Sequence, residues 1–105
     1  MICSDVATLW RRSQTADGDS ATWERVPLSG VRCEPMRGDA SAVPGQTVSD
    51  GLSLFVLADV GIRPGDRVID RQDGSQAPCR DAYRVTQVRR YSLGAILHHL
   101  EVTCR

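Results

Sequence analysis

The stretch that decides the fold class is residues 83–104, Tyr83-Arg84-Val85-Thr86-Gln87-Val88-Arg89-Arg90-Tyr91-Ser92-Leu93-Gly94-Ala95-Ile96-Leu97-His98-His99-Leu100-Glu101-Val102-Thr103-Cys104. Apolar and polar residues alternate along it instead of recurring every three or four positions, and Ser92-Leu93-Gly94 supplies a turn in the middle. Alternation of period two is the signature of a strand with one wet and one dry face, so the stretch reads as a closing β-hairpin. In its second arm Ile96, His98, Leu100, Val102 and Cys104 share one face, which places His98 on the apolar side. Leu97, His99, Glu101 and Thr103 share the other.

The same pattern runs outward to the N-terminus. Leu52, Leu54 and Val56 alternate with Ser53, Phe55 and Leu57, which suggests a strand covered on both faces. Val31 and Cys33 alternate with Arg32 and Glu34 between Gly30 and Pro35, and Thr22 to Val26 is extended up to Pro27. Val6, Thr8 and Trp10 fall on one side of a first strand, and Asp17-Gly18 sits at the centre of a polar hairpin tip. Gly61-Ile62-Arg63-Pro64-Gly65-Asp66 is a dense turn signal leading into Arg67-Val68-Ile69-Asp70. A loop from Arg71 to Asp81 follows. No segment holds a helical period for three turns, and turn signals recur about every ten residues. The reading is an all-β fold, a small β-barrel or sandwich of six to seven short strands, forming a single domain over residues 1–105. One long loop spans 37–51, small and polar with Pro44-Gly45 inside it; loops of that length in small domains tend to be functional.

Composition narrows the function classes. A chain of 105 residues buries roughly 65% of its unfolded surface, enough for one core. Thirteen basic residues, all arginine, balance thirteen acidic ones, which argues against a bulk electrostatic grip on nucleic acid or anionic lipid. The N-terminus carries no basic start followed by an apolar stretch, so no secretory signal is expected. The longest apolar run, Leu54 to Ala58, is far too short to cross a bilayer.

Residues with chemical potential are few. Cysteines at 3, 33, 79 and 104 form no C-x-x-C pair and read as reduced, small buried residues rather than zinc ligands. His98 and His99 are adjacent, and on a regular strand they point to opposite faces, so a shared metal is not expected. Arg11-Arg12 and Arg89-Arg90 are basic doublets that a regular strand splits across two faces; solvated surface or inter-subunit ion pairs are the expected use. Arg37-Gly38-Asp39 spells an adhesive tripeptide, but a turn calls for Gly38 in any case. The chain carries no nucleophile elbow, phosphate-cradling glycine loop, H-E-x-x-H or paired carboxylates in an apolar frame. The expectation is a non-enzyme with no catalytic, cofactor-binding or metal-binding residues.

Taken as a running pattern, the chain resembles the small all-β head–tail connector proteins of tailed bacteriophages, the joining or stopper proteins between portal and tail. The resemblance runs through Trp10-Arg11-Arg12, Trp23-Glu24-Arg25, Leu28 to Glu34, the variable loop, Leu52 to Leu57 and Ile62 to Ile69. It ends in Tyr83-Arg84-Val85-Thr86-Gln87-Val88 paired with Leu93 to Val102, and Pro64-Gly65-Asp66 ahead of Y-x-V-x-x-V is its C-terminal hallmark. The resemblance implies a structural virion protein of a phage or prophage that joins head to tail as part of the DNA conduit. It implies a homo-oligomeric ring on assembly, with the free chain able to stay monomeric. The implied partners are portal, adaptor or tail proteins, without tight nucleic-acid binding and without a membrane, and the implied location is the virion, or the host cytoplasm during assembly. On this reading the long loop is the docking element, through Arg37, Asp39, Val43, Gln46 and Val48. Two other readings stand beside it. One is a small barrel binding a host protein or nucleic acid; the other is a metal protein or enzyme using His98, His99 and the cysteines.

Overall fold

A computed structural model describes residues 3–14, 21–37, 49–94 and 96–105. Within them six strands close into one antiparallel barrel: β1 (Asp5–Gln14), β2 (Ala21–Arg37), β3 (Ser49–Val56), β4 (Arg67–Ile69), β5 (Tyr83–Leu93) and β6 (Ile96–Cys104). Around the barrel the order is β1-β2-β3-β6-β5-β4, with β4 returning to β1. The fold is therefore the closed member of the expected pair, a barrel and not a sandwich. No helix is present among the described residues. Strands β1, β3 and β5 run in one direction and finish at a common end, called here the upper end. At the lower end lie the end of β2, the start of β3, the 70–82 segment and Arg105.

The interior is filled by small and branched side chains. Ala7 and Leu9 of β1, Leu28 and Val31 of β2, Leu52, Leu54 and Val56 of β3 meet Val68, Val85, Leu100, Val102 and Cys104 in a single cluster. None of the five aromatic residues contributes a fully buried ring to that cluster; Tyr83 only packs against it. This fits a chain with five aromatics, whose barrel is narrow enough for valine and leucine to fill.

Val6, Thr8 and Trp10 do share a face, but it is the outer one. The core takes Ala7 and Leu9 instead, because the segment after β4 folds across the outside of β1 and supplies a second cover. Thr8 Oγ1 donates to Arg71 O (2.8 Å) and accepts from Asp73 N (2.8 Å), while Trp10 Nε1 donates to Ser75 O (2.9 Å). Trp10 and Thr8 are both fully buried on this side.

Three further expectations need correction. The two strands expected on either side of Pro27–Gly30 are one strand, β2, of 17 residues. Among the described residues it pairs only with β1 over 21–31 and only with β3 over 32–37, so Pro27 and Pro35 lie on stretches with one partner, where a missing N–H is tolerated. Gly30 is the extra residue between the pairs Asp5↔Val31 and Val6↔Ser29, at φ 64°, and this glycine bulge turns β2 from one sheet into the next. The long connection is also shorter than the expected 37–51, because Ser49, Asp50 and Gly51 already belong to β3. Gly51 is required there by close approach: a Cβ would run into the Cys104 carbonyl of β6. Finally, β3 is covered on its inner face alone. Ser53 and Phe55 are half-exposed and Leu57, beyond the strand, is 55% exposed.

Candidate interaction site

The loop residues singled out from sequence meet the structure only at their margin. Arg37 is the last residue of β2, its backbone opposite Ser49. Asp39, Val43, Gln46 and Val48 lie outside the described residues.

The upper end is organised by Asp66. Arg63-Pro64-Gly65-Asp66 closes a tight turn with the Asp66 amide donating to Arg63 O (3.1 Å) and Gly65 at φ 98°. The Asp66 carboxylate, 3% exposed, then accepts from the backbone amides of Arg63 (Oδ2, 2.9 Å) and of Arg12 on β1 (Oδ1, 2.9 Å). Its own carbonyl accepts from the Val85 amide of β5 (2.8 Å), so one residue ties a turn to two strands. Above it opens a cleft of about 450 Å³ lined by Arg11, Arg12, Ser13, Glu24, Arg63 and Asp66. Both members of the Arg11-Arg12 doublet line it. Arg11 is committed there, to Glu24 (2.5 Å) and to Val60 O (3.3 Å), whereas the Arg12 and Arg63 guanidinium groups belong to no ion pair among the described residues.

The β5–β6 hairpin runs past the end of β3 and carries an aromatic patch on its outer face. Tyr91 stacks on His99 at 4.7 Å between ring centres, and Phe55 of β3 lies 6.5 Å from His99 on the other side. His98 is exposed, not on the apolar face. The cause is a bulge: Tyr91 pairs with His99 but Ser92 pairs with Leu97, so His98 is an extra residue that resets the alternation. The same bulge brings the two imidazoles together, Nδ1 to Nδ1 at 2.6 Å, where regular geometry would have set them on opposite faces. With His98 Nδ1 donating and His99 Nδ1 accepting, His99 Nε2 is left to donate to Glu101 (3.4 Å). No group of three or more His, Cys, Asp or Glu side chains in metal-binding arrangement occurs among the described residues.

Arg90, at the base of that hairpin, reaches Asp59 (2.6 Å). This hydrogen bond, with the Gly61 amide behind it, holds the Asp59 carboxyl below the ordinary aspartate range. All four cysteines are free. Burial pushes the Cys104 thiol up to about 12, and burial together with Asp5 and Asp70 pushes Cys33 up to about 11. Both stay protonated at neutral pH, the opposite of what a nucleophile or metal ligand requires.

Across the outer face of the β2-β1-β4-β5 sheet runs a feature sequence reading missed. Cross-strand register lines up Arg25, Trp10, Arg67 and Arg84 in one row, with Trp23 and Arg12 in the row above. The Arg67 guanidinium lies 5.9 Å from the centre of the Trp23 ring. None of Arg12, Arg25, Arg67 or Arg84 belongs to an ion pair among the described residues. Nothing local in the sequence announces this row, since its members come from four strands.

Comparison with known proteins adds no name to this arrangement: no protein family, no curated protein and no solved structure matches the chain.

Proposed function

We propose that the chain is a structural protein of a tailed phage or prophage particle, a ring-forming connector that joins the portal-bearing head to the tail. The observation that carries this reading is the combination of a filled barrel with strand edges left unpaired at its rim. The interior is packed with Val, Leu and Ile, so nothing the size of a substrate fits inside. Strand β4 reaches only the first two residues of β5, and β2 over 21–31 has a partner on one side alone among the described residues.

Unpaired edges on projecting hairpins are what subunits use to add strands to one another, and isolated proteins usually cover or shorten them. Elsewhere at the rim, the exposed Tyr91, stacked on His99 with Phe55 near it, and the exposed Leu57 add apolar area. The running sequence pattern that resembles head–tail connectors supplies the biological setting, with portal, adaptor or tail proteins as neighbours.

The test is genetic and structural at once. Disrupting the reading frame in the genome that carries it should yield filled heads and separate tails in one lysate, and a plasmid copy should restore joined particles. Normal tailed particles without the protein, or particles that never contain it by mass spectrometry, would overturn the proposal.

A further inference from the structure

We infer that the arginine–tryptophan face formed by Arg12, Trp23, Arg25, Arg67 and Arg84 is a phosphate-backbone contact for duplex DNA. The inference rests on the connector reading for its biological use, since it names the face of each subunit that would be turned toward the passing DNA; the physical property belongs to the isolated chain.

The argument begins with charge distribution. The chain as a whole is neutral, but the neutrality is not uniform. Arg11, Arg32, Arg71 and Arg90 each have a carboxylate partner, whereas Arg12, Arg25, Arg67 and Arg84 of the β2-β1-β4-β5 face have none among the described residues. The rows that carry them hold no acidic residue: Trp23 and Arg12 in one, Arg25, Trp10, Arg67 and Arg84 in the next, Pro27, Thr8 and Ile69 in the third. A surface with unopposed cations on an otherwise balanced chain focuses potential locally, which net charge alone conceals.

A second observation points to a ligand. Arg25 Nε and Arg67 Nη1 are buried from solvent and have no hydrogen-bond partner. Charged donors left unsatisfied are costly. These two atoms are out of reach of solvent, but both side chains are only partly buried, and their remaining guanidinium N–H groups are the ones an oxyanion on this face would meet. The Arg67 guanidinium lies 5.9 Å from the centre of the Trp23 ring, a cation–π contact that restrains it on this face. The 71–78 segment lies over Trp10 itself, anchored by the Trp10 Nε1 to Ser75 O bond, so the tryptophan is buried in the middle of the row and the face presents only the arginines on either side of it.

Dimensions agree with a duplex backbone. Four strands at about 4.8 Å spacing set the outermost arginines of the row roughly 14 Å apart, which matches about four phosphates of axial rise along one strand of B-DNA. The contacts are to backbone and carry no sequence information, and three or four of them form a loose hold that exchanges quickly. Such a hold is compatible with DNA moving past.

The experiment uses the full chain and a fluorescent 20-base-pair duplex, with binding followed by anisotropy across a salt series. Expected is measurable binding at low salt that weakens on the order of 100-fold when salt rises fivefold, the dependence of three to four released counterions. The double variant Arg12→Gln/Arg84→Gln changes two exposed side chains, so the fold should persist by circular dichroism. It should lower affinity at least about tenfold at low salt and reduce the log–log salt slope by about 2. Arg32→Gln, on the other sheet and paired with Glu34, should leave both unchanged. The inference is overturned by no binding at the lowest salt, or by identical affinity and slope in the double variant. It is equally overturned if the double variant instead dissolves self-association in sedimentation velocity while DNA binding is absent, because the face is then a protein interface. Failure in any of these ways leaves the head–tail joining test untouched, since that test reads particle assembly.

Discussion

Asp66 shows how much one side chain can hold in a small barrel. A buried carboxylate costs several kcal/mol unless its oxygens are hydrogen-bonded, and here both are, by amides from two different parts of the chain. Asp66→Ala should strand the Arg12 and Arg63 amides at about 1–3 kcal/mol each where they stay dry. The expected outcome is about 3 kcal/mol of lost stability in urea unfolding, and a loss below about 1 kcal/mol would show that water replaces the carboxylate freely. The turn itself was legible, since Pro-Gly-Asp announces a tight turn with an acceptor at its end. The bond to Arg12, 54 residues away, was not, because no local pattern encodes a partner so distant. The same reason hid the histidine pair. His98 and His99 were read as divergent from strand geometry, and the bulge opposite Tyr91 that reunites them depends on the register of the neighbouring strand.

Strand β2 carries the corresponding lesson for elements. Read locally, Pro27 and Gly30 are punctuation, and they divide the stretch into two strands. In the barrel they are an edge proline and a bulge glycine in one strand that serves β1 with its first half and β3 with its second. Barrel closure needs this corner, and a left-handed residue makes it cheaply only when it has no Cβ. Gly30→Ala meets open space, with nothing closer than the Cys3 carbonyl at 3.9 Å, so its cost is the backbone conformation alone. That cost is about 1–2 kcal/mol, which for a chain of this size lowers Tm by roughly 5–15 °C. Gly74→Ala, with no neighbour within 4 Å and ordinary φ, is the matched control and should move Tm by no more than a degree or two. Equal shifts in the two variants would mean that the bend is not a point of strain. The inward sets Val31 and Cys33, Leu52, Leu54 and Val56, and Leu100, Val102 and Cys104 were all legible, because alternation over a half-buried sheet is a local signal. The face chosen by β1 was not, since it depends on the 71–78 segment that covers Trp10.

At the scale of the whole molecule the barrel and its connections separate into two roles, a rigid frame and the parts that overshoot it. The principal extents of 47 × 38 × 22 Å describe a flattened body with hairpins reaching past the closed ring of strands. The cross-strand arginine row belongs to the frame, and its members became neighbours only when the barrel order β1-β2-β3-β6-β5-β4 was set. The sequence resemblance instead assigns docking to the β2–β3 connection, and that assignment can be tested without disturbing the frame. Arg37 and Ser49 face each other across the ladder, so removal of residues 40–48 leaves Gly38-Asp39 as a two-residue link between paired positions. A glycine at the first central position suits a type II′ hairpin turn, whose twist matches the flanking strands. Shortening the connection also lowers the entropy cost of closing it. The shortened chain should therefore fold with an unchanged or slightly higher Tm, while failing to rescue head–tail joining when supplied in place of the full protein. Loss of the folded barrel would mean that the connection is part of the frame, and full rescue would mean that docking lies elsewhere, with the β5–β6 hairpin and its Tyr91–His99 patch the next place to cut.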